Sequence, residues 1–313
     1  MPRSRDQNLS LLTRRRALGC MAWAGGGVIW TLVGGIPRSV LLGEAEAAIT
    51  PGSFTFAQIS DNHFGFNKEA NPDVIATARE SISRINALPG PVAFVLHTGD
   101  ITHLSKPAEF DQARQVLSEV KAPLYYTPGE HDVLDETPGA LYRQAFPQKT
   151  AGDGWYSFDA GGVHFIALIN VLDFATSELG ALGATQLEWL ANDVKNIAAS
   201  TPIVVFSHIP LWSVYREWGW GTGDAEQAFA VLKRFGSVTV LNGHIHQVIQ
   251  KIEGNVSFHT AMSTAYPQPR PGEGPSPGPL KVPAETLRSV LGVRAIEMVS
   301  GRMAVVDKPL ANA

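Results

Sequence analysis

Between residues 54 and 246 the chain falls into short apolar runs, and five of them break off into blocks rich in Asp, His and Gly. Residues 54–63 open the series. Their apolar half, Phe-Thr-Phe-Ala-Gln-Ile, reads as a buried strand that delivers Asp61 and His63 into the loop at its carboxyl end. Residues 72–88 follow with helical spacing, Val74, Ile75, Ala78, Ile82 and Ile85 sharing one side. Asn71 stands as the cap of that helix, Pro72 as its first residue and Pro89-Gly90-Pro91 as its stop. A continuous apolar strand at 92–96 runs into His97-Thr98-Gly99-Asp100-Ile101-Thr102-His103. A helix is predicted over 107–120, and a strand at 124–127 ends in Pro128-Gly129-Glu130-His131-Asp132. Strands that alternate with helices imply right-handed crossovers and a largely parallel sheet.

The second half repeats this alternation with one change. Residues 155–159 and 163–169, joined by Gly161-Gly162, read as a hairpin on a second sheet. A helix over 185–198 leads to a strand at 203–206 and then to Ser207-His208-Ile209-Pro210. The loop beyond is crowded with Trp212, Tyr215, Trp218 and Trp220. A helix over 225–235 precedes a strand at 238–241 and Asn242-Gly243-His244-Ile245-His246, with two more strands near 248–252 and 256–260. Residues 266–283 are too rich in Pro and Gly for regular structure; they form a long loop beside the site or a flexible cover. A last hairpin over 293–306 turns at Ser300-Gly301. No repeat period or internal linker is visible, so residues 48–313 read as one domain.

The first 47 residues stand apart. Thr13-Arg14-Arg15-Arg16 precedes an uncharged, Gly-rich apolar stretch over 17–37, and Ala45-Glu46-Ala47 offers small residues for cleavage. Basic, apolar, small is the order of a secretory signal, and the paired arginines resemble the twin-arginine export signal. The expectation is a periplasmic or secreted protein delivered by the twin-arginine export machinery, with no stable membrane association once the leader is cleaved. The alternative is an uncleaved leader that anchors the protein in the membrane, since the apolar stretch is nearly long enough to span it.

Composition narrows the chemistry. The 313 residues are 44% hydrophobic and 17% charged, which is ordinary for a globular chain. Six arginines against three acids give the leader a net +3, which leaves the remainder near −7 of the total −4. A nucleic acid polymer is therefore not an expected partner. The one cysteine, Cys20, lies in the leader, so any metal in the mature domain must be held by His and carboxylate.

Apolar strands that each end in a ligand-type residue are what an open α/β sheet needs to build a site outside its strand ends. Asp61, His63, Asp100, His208, His244 and His246 are six such residues on four loops, of types that suit two divalent or trivalent ions. Two ions held together can activate a water and clamp the attacking and leaving oxygens of a phosphoryl transfer.

The ordered blocks Asp61-Asn62-His63, Gly99-Asp100, Gly129-Glu130-His131-Asp132, His208 and Gly243-His244-Ile245-His246 resemble the signature of the calcineurin-like metallophosphoesterases over roughly residues 54 to 262. The resemblance implies a four-layer α/β/β/α sandwich of two mixed sheets flanked by helices. It implies two metal ions (Mn, Fe or Zn), with Asp61, His63 and His246 at the first, Glu130, His208 and His244 at the second, and Asp100 bridging. It further implies a small-molecule phosphoester substrate cleaved by a metal-activated hydroxide. His131 would stabilise the phosphoryl oxygens and protonate the leaving alkoxide, with Asp132 orienting its ring.

Glu130 is the departure, because the family has Asn there. An added negative charge favours metal retention and repels a phosphate dianion more than a diester monoanion. The sequence thus points to a phosphodiesterase, of cyclic nucleotides or another diester. A phosphomonoesterase of nucleotides or sugar phosphates and a catalytically weakened metal-dependent binding module remain as alternatives. Around this centre His97 and His103 are expected behind the ligands, His164 in the core, and His259 either lining the pocket or not. The tryptophans read as a packed lid or as a stacking platform, with Trp212 expected to touch substrate. Asn62 faces solvent or touches phosphate.

Overall fold

The computed structural model describes residues 28–33, 36–41, 53–174, 179–299 and 301–311. In chain order the strands are β1 (Val28–Val33), β2 (Ile36–Leu41), β3 (Phe54–Ile59), β4 (Val92–Thr98), β5 (Leu124–Thr127), β6 (Tyr156–Ala160) and β7 (Val163–Ala167). They continue with β8 (Asp173–Phe174), β9 (Gly180–Ala181), β10 (Ile203–Phe206), β11 (Val238–Asn242), β12 (Gln250–Glu253), β13 (Val256–Thr260), β14 (Gly292–Val299) and β15 (Arg302–Pro309). The helices are α1 (Val74–Asn86), α2 (Pro107–Leu117), α3 (Ala140–Ala145), α4 (Ala184–Val194), α5 (Ala225–Leu232) and α6 (Ala284–Val290). Most of the expected leader lies outside the described residues; within it, β1 and β2 pair antiparallel. No helix among the described residues is long and apolar enough to cross a membrane.

The strands sort into two mixed sheets. One runs β15-β14-β3-β4-β5, with β3, β4 and β5 parallel and β14 antiparallel to β3. The other runs β12-β13-β11-β10-β7-β6, with β7, β10, β11 and β13 parallel and antiparallel strands at both edges. Period-2 alternation assigns the faces. In β3, Phe56 enters the core between the sheets, whereas Ala57 and Ile59 face α1 and α2. The inter-sheet core is aromatic. Phe56 and Phe94 each meet Phe165 edge-on, with ring centroids 5.4 and 5.1 Å apart, a favoured geometry for buried rings. On the outer faces α1, α2 and α3 cover the first sheet, and α4 and α5 cover the second. The result is the expected α/β/β/α stack.

Two local expectations change. Helix α1 starts at Val74, and its cap is Asp73, whose Oδ1 accepts from the Ala76 N–H at 3.0 Å. Asn71 is spent elsewhere: its amide donates to the Ala265 carbonyl at 2.7 Å and to Thr77 Oγ1 at 3.0 Å, which ties the loop after β13 to the start of α1. Helix α6 was not legible, because its seven residues bury only Leu287 and leave no apolar stripe to read. Residues 266–283 carry no helix or strand, as their composition requires.

Candidate metal centre

All five blocks leave the carboxyl ends of parallel strands and meet along one rim of the sandwich. Asp61 and His63 follow β3, Asp100 follows β4, Glu130 and His131 lie in a single 3-10 turn after β5, His208 follows β10, and His244 and His246 follow β11. The chain turns sharply to present them. Asp61 (φ 55°), His63 (47°), Asp100 (52°), His244 (71°) and His246 (52°) all adopt left-handed backbone, which costs a non-glycine residue about 1–3 kcal/mol and persists only where neighbours over-determine it. Here the neighbours are backbone bonds between adjacent loops: Asp61 N–H to Gly99 O and His63 N–H to Asp100 O, both 3.0 Å. The motif glycines allow this close approach. A Cβ on Gly129 would fall 2.0 Å from Asp100 Oδ1, and one on Gly243 would fall 2.1 Å from Ser60 Oγ.

Several overlapping sets of donors result, and two of them share no residue with each other and together take in every expected ligand. Asp61, His63, Asp100 and His246 form one, and Glu130, His208 and His244 the other, with ligand atoms inside 4.8 Å of one another in each. Asp100 Oδ2 sits between them, 3.5 Å from His63 Nε2 and 3.4 Å from His208 Nε2. The Glu130 carboxylate spans the second group, 2.9 Å from both His208 Nε2 and His244 Nδ1. His208 Nδ1 donates to the Thr98 carbonyl and His246 Nδ1 to the Tyr266 carbonyl, both at 2.6 Å. A carbonyl only accepts, so each Nδ1 carries a hydrogen, and Nε2 is the nitrogen turned into the centre, where it can offer its lone pair to a metal ion.

That arrangement is unfavourable without positive charge. His63 Nε2 and His246 Nε2 face each other at 3.2 Å, and His208 Nε2, Glu130 Oε2 and both His244 nitrogens have no hydrogen-bond partner although buried. The titration shifts express the same stress. Burial opposes the charge on His208, but Asp100 and Glu130 override it and hold its pKa well above the usual value. Burial also opposes the charge on Glu130, but His244 and His208 hold its pKa well below the carboxylate range. Burial, then His131 and His246, push His63 well below the imidazole range. Imidazoles and carboxylates packed this way fit two borderline metal ions, whose positive charge would take the place of protons at the centre.

His131 lies over the first group. Its ring stacks on His103 (5.0 Å, 13°) and meets His63 edge-on (4.8 Å, 82°), while the His131 backbone N–H donates to Asp100 Oδ1 at 3.0 Å. The expected pairing of its ring with Asp132 is replaced. His131 Nδ1 meets the His103 carbonyl at 2.6 Å, and Asp132 accepts the backbone N–H groups of Ile101, Thr102 and Gly129 together with the Thr102 hydroxyl. Asp132 therefore holds the His131 turn against the loop after β4, since a buried carboxylate ringed by donors gains more from them than from one imidazole.

Two expected substrate contacts are also corrected. Asn62 is fully buried; its Oδ1 meets His97 Nε2 and its Nδ2 donates to Thr264 Oγ1, so both ends of the amide are occupied away from solvent. Trp212 packs on Phe258 (4.9 Å) in the outer core under α5, on the far face of the second sheet. Trp220 is fully buried beside Trp218, so the tryptophans pack as structure. His97 stands behind the ligands as expected, neutral because burial pushes its pKa down to about 3. His164 is core, and His259 is half-buried on β13, opposite Leu241 of β11 and Gln250 of β12.

Tyr266 was missed. Its hydroxyl lies 3.2 Å from His63 Nε2, and its ring lies against His63 (4.8 Å) and His246 (4.7 Å). The available signal was its position as first residue of the Pro/Gly-rich stretch already placed beside the site.

The family model for calcineurin-like phosphoesterases matches residues 54–248. A 3',5'-cyclic-nucleotide phosphodiesterase from Nostoc sp. is 27% identical over 218 residues, covering 68% of this chain and 79% of that protein. A serine/threonine-protein phosphatase from Mus musculus is 34% identical over 183 residues, covering 51% of this chain and 57% of that protein. Among solved structures, a dimetal phosphatase from Danio rerio superposes with a TM-score of 0.64 at 14% identity, covering 83% of this chain and 97% of that one, a likeness of fold. The matched residues carry both donor groups, so the chain belongs to the calcineurin-like phosphoesterase family and is a phosphoester hydrolase that works with two metal ions.

Proposed function

We propose that this enzyme is an exported phosphodiesterase. The observation that carries the reading is Glu130, a third carboxylate in a centre that already holds Asp61 and Asp100. A monoester dianion meets one more unit of repulsion there than a diester monoanion does. Relatives named a cyclic-nucleotide phosphodiesterase and, at 26% identity over 223 residues, a glycerophosphodiester phosphodiesterase from Enterobacter lignolyticus support it. Asp61, His63 and His246 would hold one ion and Glu130, His208 and His244 the other, with Asp100 shared. Bound ions would supply an activated water and neutralise the phosphoryl oxygens.

The protein's own residues do the rest. His131 Nδ1 donates to the His103 carbonyl. The proton for the departing alkoxide is therefore the Nε2 proton of the doubly protonated ring, a form that Asp100 and Glu130 favour against burial, and loss of that proton leaves the ring neutral. Residues 1–47 would direct twin-arginine export to the periplasm or beyond, leaving residues 48–313 as one catalytic domain. The competing reading is a phosphomonoesterase, favoured by the 34% identity to the mouse phosphatase. The test is hydrolysis of an aryl phosphodiester and its monoester, with and without chelator, on protein of known metal content. Chelator-sensitive diester preference supports the proposal, and a strong monoester preference overturns it.

A further inference from the structure

The loop after β13 is tied into the metal centre by more bonds than a connecting segment needs. Thr264 N–H donates to the Ser60 carbonyl at 3.2 Å, and Thr264 Oγ1 accepts from Asn62 Nδ2. The Ser263 hydroxyl donates to the Asp61 carbonyl at 2.8 Å, and its oxygen accepts the N–H groups of Ala265 and Tyr266 at 2.8 and 3.2 Å. Asn71 holds the Ala265 carbonyl. The result is a fixed turn that ends on Tyr266, a side chain with 4% exposure.

Tyr266 serves the centre from both ends. Its carbonyl accepts from His246 Nδ1 and so orients that ring. Its phenol lies against the His63 and His246 rings, and Oη reaches His63 Nε2 at 3.2 Å. That nitrogen also lies 3.2 Å from His246 Nε2 and 3.5 Å from Asp100 Oδ2. Oη therefore stands as close to it as other members of the first donor group do. A buried tyrosine hydroxyl usually finds a partner, and here the partner is the nitrogen through which His63 would hold an ion.

Such a hydroxyl could serve as a ligand or as a hydrogen-bond donor, and charge decides between them. A phenolate would add a fourth negative charge to a centre that holds Asp61, Asp100 and Glu130. The neutral phenol instead brings a hydrogen to a place where negative oxygen arrives. When His63 Nε2 gives its lone pair to an ion, the acceptor that Oη has in this structure is taken. Its hydrogen is then free for an oxygen lying over the first donor group. We propose that Tyr266 is a further catalytic residue, whose hydroxyl donates to a non-bridging phosphoryl oxygen of the substrate. The fixed turn holds that donor in place before charge develops, which is what makes a donor effective in a transition state. The inference rests on His63 as a ligand and on phosphoester hydrolysis, and not on the preference for diesters.

Tyr266→Phe tests it, because it removes one oxygen and keeps both the ring and the carbonyl that orients His246. The measurements use the full protein loaded with manganese. On whichever ester the parent cleaves better, kcat/KM should fall by about 10-fold or more. Affinity for inorganic phosphate, read by calorimetry, should fall by about fivefold. Manganese dissociation constants, from titration against a competing chelator, should stay within about threefold of the parent, since outer partners of ligands shift them by more. A parent-like kcat/KM or a parent-like phosphate affinity would overturn the inference, because the hydroxyl would then be packing alone. A loss of manganese affinity as large as the loss of phosphate affinity would also overturn it, because Tyr266 would then act on the ion. The parent's diester-to-monoester ratio, read on the same samples, reports on the proposed function alone, so the two readings fail separately.

Discussion

Replacing Glu130 with glutamine tests the substrate argument with the least geometric change, since length is kept and one negative charge is lost. The Glu130 oxygens lie 2.9 Å from His208 Nε2 and His244 Nδ1, so any phosphoryl group held over these donors is close to the carboxylate. A unit charge about 5 Å away at an effective dielectric near 20 is worth about 3 kcal/mol. The side chain is 26% exposed and the ions are positive, so screening leaves about 1–2 kcal/mol. That corresponds to a factor of about 5 to 30 in selectivity. The assay is kcat/KM for an aryl diester and its monoester at saturating manganese, with metal content measured on the same samples. Glu130→Gln should lower the diester-to-monoester ratio by that factor, chiefly through a gain on the monoester. A ratio within twofold of the parent at equal metal content would refute the reasoning.

Other outcomes follow from the same geometry. Saturation with metal at about 100 times its Kd should stabilise the fold by roughly 2.7 kcal/mol and raise Tm by roughly 5–10 °C, read by calorimetry; an unchanged Tm would contradict metal binding at this site. His131→Ala should lower kcat by about 10²–10⁴ for an alkyl leaving group and less for an aryl one, whereas equal losses would rule out proton donation to the leaving oxygen. Gly129→Ala drives a Cβ to 2.0 Å from Asp100 Oδ1 and 2.4 Å from its backbone nitrogen, so elemental analysis should find fewer than two ions per chain. His164 is clamped between Asp159 and Asp193 at 2.8 and 2.9 Å, and these carboxylates raise its pKa against burial. A raised pKa stabilises the fold fully below the unfolded value near 6.5 and progressively less as pH rises through the folded one. Tm should therefore fall over that window in the parent and be flatter in His164→Gln.

The strands were legible because buried parallel strands are continuous apolar runs, as at Val92–Thr98 and Ile203–Phe206. The donors were legible because each block follows such a run within a few residues. What stayed hidden depends on side-chain direction. Nothing in the order Glu130-His131-Asp132 says that the Asp turns inward to the loop after β4 while the His turns outward. Asn62 lies between two donors in sequence, yet its left-handed neighbours Asp61 and His63 rotate it to the opposite side, onto His97 and Thr264. Trp212 follows His208 by four residues, and its aromatic contact with Phe258 on a distant strand decides its place. Tyr266 carried no motif at all.

The division of donors between the two sheets has a mechanical consequence. Asp61, His63, Asp100 and Glu130 belong to loops of the first sheet; His208, His244 and His246 belong to loops of the second. Each donor group therefore draws on both, and neither half alone presents a complete one. Ions seated there would rivet the open rim of the sandwich. Their arrival would mark the moment when the halves have closed in register, and their loss would loosen the whole rim rather than a single loop.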